Sequence, residues 1–249
     1  INLGPRIGKF NADGTANDIS GHNMPFTATG LMLIIVGFWG FLMACMILPG
    51  EGWSWTANTG TTIYGTPMNL SALSFNILMG IAGGIIGAWL LNRDPFWMMS
   101  GALAGIISVA SGLDIYFPAL AFIVAIVAGL LLRPAAKMLE SFGIDDAVGA
   151  VTVHGTIGVY GMVVFGIFAQ GYPALFIENA PTVSILGQLV GAIVTSLCGF
   201  IPGYILSLCL SGLGMLRTPE AAEIAGLDTT KVPAQAFPEG IPASAQPAE

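Results

Sequence analysis

Residues 144–170 read IDDAVGAVTVHGTIGVYGMVVFGIFAQ, and the apolar part of this stretch is long enough to cross a lipid bilayer. About 20 helical residues, at a rise of roughly 1.5 Å each, cover the hydrocarbon core. His154 nevertheless lies inside the stretch, where an ionisable side chain is costly. Its neighbours at helical spacing are all small, namely Ala147, Ala150, Gly158 and Gly161. The spacing therefore predicts an imidazole that is open either to another helix at close range or to a narrow passage.

The composition of the whole chain is that of a membrane protein. Of its 249 residues, 55% are hydrophobic and only 8% are charged, whereas a soluble domain carries about 25% charged residues. The formal net charge of -7 comes from the loops and the tail, so it gives no reason to expect a nucleic-acid partner. Three cysteines lie in apolar runs without CxxC spacing, which predicts buried, reduced thiols rather than a disulfide framework or a zinc site. They are Cys45, Cys198 and Cys209.

Six apolar segments follow a polar N-terminal loop at residues 1–24, and we expect each segment to span the membrane as a helix. Their predicted ranges are 25–48, 68–91, 96–112, 115–132, 147–169 and 183–210. Together they define a membrane domain over residues 25–213, and a polar, proline-rich tail at 214–249 follows it. The third segment is near the lower length limit of ~17 residues for crossing. Segments three and four are joined only by Gly112–Asp114, so they could instead form a re-entrant hairpin.

The positions of the basic residues support this count of segments. All seven lysines and arginines fall before segment one, between segments two and three, between four and five, or after six. The remaining loops, at 49–67, 113–114 and 170–182, contain none. Under the positive-inside rule, the basic side of the membrane is the cytoplasmic side. The pattern therefore predicts an integral protein of the cell membrane with both ends in the cytoplasm.

Small residues recur four positions apart in the second and third segments, which predicts close packing of these helices in lipid. The pairs are Gly80 and Gly84, Gly83 and Gly87, and Gly101 and Gly105. Asn69 and Asn76 in the second segment favour hydrogen bonds between helices.

Few side chains could carry chemistry within the membrane. The neutral imidazole of His154 offers one donor and one acceptor, which suits either a hydrogen bond across a helix interface or a relay for a small polar solute. Asp146 could cap the fifth helix. Phe38, Phe41 and Cys45 share one face of the first segment, where they favour either core packing or an apolar gate. Because the sequence shows no nucleophile with its base, no metal-ligand cluster and no phosphate loop, it predicts neither an enzyme nor a cofactor.

Four stretches together resemble the ammonium transporter/Rhesus protein family. Gly21–Phe41, GHNMPFTATGLMLIIVGFWGF, is similar to the family's sixth span with its lead-in, and Asp94–Leu131 is similar to the eighth and ninth spans. Ile144–Gly158 resembles the tenth span, which carries the second of the family's paired pore histidines. Leu216–Asp228, LRTPEAAEIAGLD, resembles the start of the cytoplasmic tail. The likeness extends over nearly the whole chain except the 49–67 loop and the C-terminal residues.

The resemblance implies a fold and an assembly. Members of the family have eleven spans, in which two five-helix halves form an inverted repeat, and three protomers assemble with one pore each. This chain would be the second half, spans six to eleven, of such an all-α membrane protein. The missing N-terminal half, with the first pore histidine, would be a separate chain or unseen sequence. His22 belongs to the lead-in motif and would not be that histidine.

The resemblance also implies roles for single residues. His154 would be the second pore histidine, and Phe41 would be one of two stacked phenylalanines at the outer mouth. Phe38 occupies a position that is commonly tryptophan, and Asp146 would be the acidic residue at the start of the tenth span. Cys45 stands in place of a serine that helps to bind ammonium, and a thiol is a weaker hydrogen-bond partner. We therefore expect a weaker outer site.

These roles imply transport of ammonium or ammonia through a hydrophobic, histidine-lined pore that separates ammonia from its proton. The alternative is a non-conducting ammonium sensor or a structural membrane subunit, which Leu42 and Cys45 favour slightly. The implied partners are ammonium or ammonia, membrane lipid, two further protomers of a homotrimer, the missing half, and a trimeric nitrogen-signalling regulator at the tail.

Overall fold

Six apolar helices account for most of the described chain, as the sequence predicts. The computed structural model describes residues 1–21, 23–46, 55, 58–91, 93–227 and 230. Within these residues, six helices are long and apolar enough to cross a membrane. Their bounds are α1 Met24–Ala44, α2 Leu70–Leu91, α3 Pro95–Val109, α4 Pro118–Ser141, α5 Ile157–Phe168 and α6 Ile185–Gly212. A 3₁₀ turn at Ala110–Gly112 extends α3, and a π-helical turn at Val151–Thr156 leads into α5.

The remaining regular structure is short. Two strands, β1 Gly60–Thr61 and β2 Pro67–Met68, pair antiparallel with Gly60 opposite Met68. A six-residue helix, α7 Glu220–Ala225, follows α6.

Local side-chain chemistry explains where two of the long helices begin. The Asn23 side chain accepts a hydrogen bond from the Phe26 amide at 2.9 Å, and the Asp94 carboxylate accepts one from the Phe96 amide at 2.8 Å. Each cap satisfies an amide of the first turn that has no partner within the helix. Proline then occupies the first turn of both helices, where its missing N–H carries no penalty.

Helix α2 is the centre of the bundle because glycines let two neighbours approach it closely. A Cβ atom added at Gly84 would overlap the backbone of Gly101 and Gly105 on α3. A Cβ added at Gly87 would overlap Ile126 and Gly129 on α4. Without a hydrophobic effect between helices in lipid, such close packing supplies van der Waals attraction. The predicted packing role of the paired glycines is confirmed.

Helix α4 is longer than the predicted segment, which ended at residue 132. It continues to Ser141 and includes Pro134. Its added turns still contact the bundle, since Ala135 and Ala136 are buried. The charge that seemed to end the segment is also accommodated, because the Arg133 guanidinium lies 5.0 Å from the centre of the Trp97 ring.

Other helix ends differ less from the predicted ranges. Helix α1 ends at Ala44, and residues 47 and 48 of the predicted first segment lie outside the described residues. Helix α2 begins at Leu70 rather than at 68, because Met68 ends strand β2 and the Asn69 side chain caps the helix. The fifth segment becomes helical only at Val151, four residues later than predicted.

The chain forms two compact units. The larger unit, Asp18–Phe200, contains helices α1 to α5 and the first part of α6. Most of its fully buried side chains lie on α2, α3 and α4 and on the turn between the last two. The smaller unit brings Ile1–Asn17 together with the described residues from Ile201 to Leu227.

Among the described residues of the smaller unit, several polar contacts are centred on the ion pair between Arg217 and Glu223. The guanidinium of Arg217 donates to the Glu223 carboxylate at 2.9 Å and to the Leu3 carbonyl oxygen at 3.1 Å. The same carboxylate accepts a hydrogen bond from the Ile7 amide at 2.9 Å. These contacts join the first residues of the chain to α7.

The three cysteines are exposed, so the prediction that they are buried is wrong. Cys45 follows α1, and Cys198 and Cys209 lie on α6; all three are free thiols. Helices α1 and α6 contribute little to the core. Only 17% of the 18-residue apolar stretch of α1 and 6% of that of α6 are buried. An apolar run in a membrane protein is equally suited to lipid and to core, and the composition around a cysteine does not distinguish the two.

Candidate functional site

The candidate site is built on the π-helical turn that carries His154. This turn, Val151–Thr156, precedes α5 and packs against α3 and α4. Val153 is 3% exposed and joins the small apolar core that Ala104, Ala128 and Ile157 also form. The turn is therefore anchored to the bundle by its apolar side chains. A π-helical turn contains i→i+5 hydrogen bonds, and such turns are frequent at functional sites.

Asp146 caps this turn, as the sequence suggested it could. Its Oδ2 atom accepts hydrogen bonds from the Thr152 amide at 2.8 Å and from the Thr152 hydroxyl at 2.9 Å. Its Oδ1 atom accepts a hydrogen bond from the Val151 amide at 3.2 Å. The carboxylate thereby satisfies two first-turn amides. A negative charge is also favourable at this end of a helix.

His154 itself is exposed at the surface of the chain. Its imidazole makes no hydrogen bond, ion pair or ring contact with any residue that the structure describes. Gly158, one turn further on, is also open, since no described heavy atom lies within 4 Å of a Cβ added there. Gly161 differs from the prediction, because a Cβ added there would lie 2.8 Å from the Ser108 carbonyl oxygen of α3. The open face therefore extends over His154 and Gly158 but does not include Gly161.

The predicted outer-site residues lie at the C-terminal end of α1. Phe41 is 62% exposed, and Phe38 is partly buried against the core. Cys45 is exposed, and its thiol donates to the Phe41 carbonyl oxygen at 3.4 Å within its own helix turn. The Trp39 indole donates to the Ser74 hydroxyl and so attaches α1 to α2. Among the described residues, no hydrogen bond or ring contact joins these side chains to His154.

A polar cluster around the turn between α3 and α4 was only partly predicted. The Asn76 amide donates to the Leu113 and Tyr116 carbonyl oxygens at 2.9 and 2.8 Å, so it binds the turn and not another helix face. Asn69 instead caps its own helix, since its side chain accepts from the Ala72 amide. The side-chain oxygen Oδ1 of Asn76 and the hydroxyl of Tyr116 are buried without a hydrogen-bond partner among the described residues.

Asp114 belongs to the same turn. Burial raises the pKa of its carboxyl group above the usual value, while a hydrogen bond to its own backbone opposes the shift. The sequence predicts a loop at residues 113–114, and no local signal there distinguishes a turn that folds inward.

The fold and the isolated histidine together define a polytopic integral membrane protein with a polar group on one apolar helix. The model of the Ammonium Transporter Family matches residues 1–237 of the chain. The chain therefore belongs to the ammonium transporter family.

Known proteins of this family align with nearly the whole chain. Ammonium transporter Amt2 of Methanocaldococcus jannaschii is 34% identical, with 95% of this chain and 52% of the relative covered. Ammonium transporter Amt1 of the same organism is 35% identical, with 95% and 56% covered. A solved structure titled Sensor Amt Protein superposes with a TM-score of 0.73 at 26% identity, covering 93% of this chain and 55% of that chain.

These comparisons carry two consequences. The chain spans about half the length of the curated relatives it matches. Those relatives are named as transporters, and the family is one of transport proteins rather than enzymes.

Proposed function

We propose that this chain forms one half of a pathway for ammonium or ammonia across the membrane, with His154 facing the passage. The chain corresponds to the second half of an eleven-span inverted repeat, and a complementary five-helix half closes the passage on the open side of α5. The observation that carries the proposal is the exposed, unpartnered His154 on a helix turn whose other side chains are anchored in the bundle. Membership of the family adds the substrate class.

The physical chemistry of the solute favours such a site. A bare ammonium ion cannot cross an apolar passage cheaply, because burying an unpaired charge is costly. A route that separates ammonia from its proton avoids that cost. An imidazole can accept a proton or a hydrogen bond on one nitrogen while it donates from the other. His154 would supply half of this relay, and the complementary half would supply the second imidazole.

The outer mouth of the proposed passage lies near the C-terminal end of α1. The exposed ring of Phe41 would cover the passage, and Phe38 would support it from the bundle side. Aromatic rings also attract a cation at the mouth. Cys45 would be a weak partner for ammonium, because a thiol is a poor hydrogen-bonding group. In this proposal Asp146 lies at the opposite, cytoplasmic end of the passage, where its negative charge would attract a cation near the exit.

We propose that both ends of the chain lie in the cytoplasm and that the protein lies in the cell membrane, since all basic residues fall in alternate loops, on one side of a six-helix arrangement. Three protomers, each with its own passage, surrounded by lipid, would form the assembly. The segment from Leu216, which includes α7, would offer the contact for a trimeric nitrogen-signalling regulator.

The test is transport by the chain reconstituted in liposomes together with its complementary half. Ammonium-driven current and internal pH are recorded for the unsubstituted protein and for His154→Ala. A positioned proton-transfer group contributes roughly 100-fold or more to rate, so the substitution is expected to reduce the current by about that factor. His22→Ala, at the other histidine of the chain, is the matched control and should conduct normally.

A second candidate function is that of an ammonium sensor without conduction. Leu42 and Cys45 at the proposed outer site, and the likeness to a protein titled Sensor Amt Protein, favour it. An unsubstituted protein that binds ammonium but passes no current would support the sensor and contradict transport. Equal currents from the unsubstituted protein and His154→Ala would contradict the proposed role of the imidazole.

A further inference from the structure

We propose that Asp146 and Thr152 form a clamp that sets the direction of the His154 imidazole, so that both act as positioning residues for the relay. This inference rests on the proposed function of His154. The clamp consists of the three hydrogen bonds that the Asp146 carboxylate accepts from Val151 and Thr152. None of these hydrogen bonds is made to the imidazole itself.

The backbone before the clamp folds so that the carboxylate reaches forward over the first helical turn. The Gly149 amide donates to the Asp146 carbonyl oxygen at 3.0 Å, which closes a turn between them. Gly149 has a φ of +72°, a conformation that glycine adopts without the steric cost other residues incur. The carboxylate thus meets amides five and six residues further along the chain.

The Thr152 hydroxyl fixes the rotation of the turn about its axis. Thr152 is fully buried, at 0% exposure, and its side chain donates to Asp146 at 2.9 Å. Two residues along an α-helix correspond to a rotation of roughly 200°, and somewhat less in the wider π-helical turn. When Thr152 points into the bundle, His154 must therefore point away from it, as the structure has it.

The π-helical form of the turn makes this rotation sensitive to the clamp. A turn that contains one additional residue differs from a regular α-helix by a rotation of roughly 100°. In the clamp, the Val151 and Thr152 amides donate hydrogen bonds to the Asp146 carboxylate, and these bonds fix the start of the turn. Loss of the threonine hydroxyl would leave one carboxylate lone pair unsatisfied and permit the turn to relax toward regular helix. The imidazole would then leave the direction it has in the structure.

The test compares Thr152→Val with Thr152→Ser in the reconstituted transporter. Valine keeps the branched shape and removes the hydroxyl, whereas serine keeps the hydroxyl. Since small misplacement of a reacting group can cost up to roughly 100-fold, Thr152→Val is expected to lower the maximal current by about tenfold. The half-saturating ammonium concentration, which reports the outer site, should remain within a factor of about two, and the pH profile of the current should shift. Thr152→Ser should restore both the current and the profile.

Ser108→Ala is the matched control for loss of a buried hydroxyl. Its hydroxyl is also at 0% exposure and donates to the Gly105 carbonyl oxygen at 2.8 Å, within its own helix. Ser108→Ala should leave the pH profile unchanged. Asp146→Asn provides a second variant of the clamp, and it should shift the profile in the same direction as Thr152→Val. All currents are normalised to the amount of folded protein. That amount is measured by gel filtration and by the circular-dichroism signal of the helices.

The outcomes separate this inference from the proposed function. A profile and current of Thr152→Val equal to those of the unsubstituted protein, with His154→Ala impaired, would overturn the clamp alone. Equal effects of Thr152→Val and Ser108→Ala would also overturn it, because the loss would then be one of general packing. Insensitivity of the current to His154→Ala would overturn the proposed function and the clamp with it.

Discussion

Thr152 and His154 are separated by one residue, yet the first is fully buried and the second is exposed. A threonine in an apolar run gives no sign of which side it faces. Its hydroxyl needs a partner when it is buried, and the partner here is a carboxylate six residues earlier. Thr152 can therefore be buried because it has a polar partner within the bundle, whereas His154 has none among the described residues and is exposed.

Asp114 allows a prediction about pH. Burial raises the pKa of its carboxyl group, so the folded protein retains this proton to a higher pH than the unfolded chain does. The free energy of unfolding should therefore decrease as pH rises from about 3.9, the usual aspartate pKa, to the raised pKa. Asp114→Asn should raise the thermal unfolding midpoint at pH 7, and the gain should disappear below about pH 4. Thermal unfolding in detergent across a pH series measures this difference.

Asp13 provides the control for this prediction, because the pKa of its carboxyl group is shifted in the opposite direction. Hydrogen bonds from the Thr15 side chain and amide lower the pKa of its carboxyl group, so its charged form is favoured in the folded chain. Asp13→Asn should give no gain in the unfolding midpoint at pH 7. If both substitutions raised the midpoint equally, the gain would come from net charge and not from burial of Asp114.

At the scale of elements, α2 owes its central position to backbone contact rather than to side-chain volume. Gly80 and Gly84 meet α3, while Gly83 and Gly87 meet α4. The four glycines thus form two stripes on adjacent faces of one helix. A single stripe would bring together only one pair of helices, so the double pattern is what makes α2, α3 and α4 a three-helix core.

A glycine substitution tests this packing. In Gly84→Ala, the new methyl group would overlap the Gly101 carbonyl group, and overpacking of this kind costs about 1–3 kcal/mol. The matched change is Gly37→Ala on α1, where no described heavy atom lies within 4 Å of the added Cβ. That change should be neutral or stabilise by up to ~1 kcal/mol, because alanine favours the helix. Unfolding of both variants in detergent, followed by the helix signal, measures the difference; equal midpoints would contradict the packing role.

At the scale of the whole molecule, the helices are buried very unequally. Half of the apolar stretch that begins with α3 is buried, whereas only 17% of the stretch in α1 and 6% of the stretch in α6 are buried. The faces that α1 and α6 leave open are therefore available to lipid, to a complementary half or to a neighbouring protomer. This unequal burial agrees with a chain that spans about half the length of its curated relatives.

The ion pair in the smaller unit gives a prediction about the two ends of the chain. Arg217→Ala removes the bond to the Leu3 carbonyl oxygen and the partner of Glu223. Because exposed ion pairs are worth about 0–1 kcal/mol, global stability should hardly change. The Ile7 amide donates a hydrogen bond to the Glu223 carboxylate. Hydrogen exchange at this amide should nevertheless become faster. Arg93→Ala, which removes a cation lying over the Trp89 ring, should leave that amide unaffected; unchanged exchange in Arg217→Ala would show that the ion pair does not order the first residues.

Much of the architecture could be predicted from the sequence because it depends on length and polarity. An apolar run of sufficient length must satisfy its backbone internally in lipid, and a helix does so. The count of six helices and the close glycine contacts follow from this rule and from residue size. The end of α4 was missed because Arg133 resembles a boundary, and its contacts with the Trp97 ring and the Asp18 carboxylate show how the charge is accommodated.

By itself, the sequence determined that this protein has six apolar helices, glycine stripes for packing and one histidine within an apolar run. Only the tertiary structure decided which side of each helix is covered, that the fifth helix begins with a π-helical turn, and that His154 is left open. The physical reason is the range of the interactions. Helix formation in lipid depends on neighbouring residues, whereas the rotation of a helix depends on hydrogen bonds and contacts between distant parts of the chain.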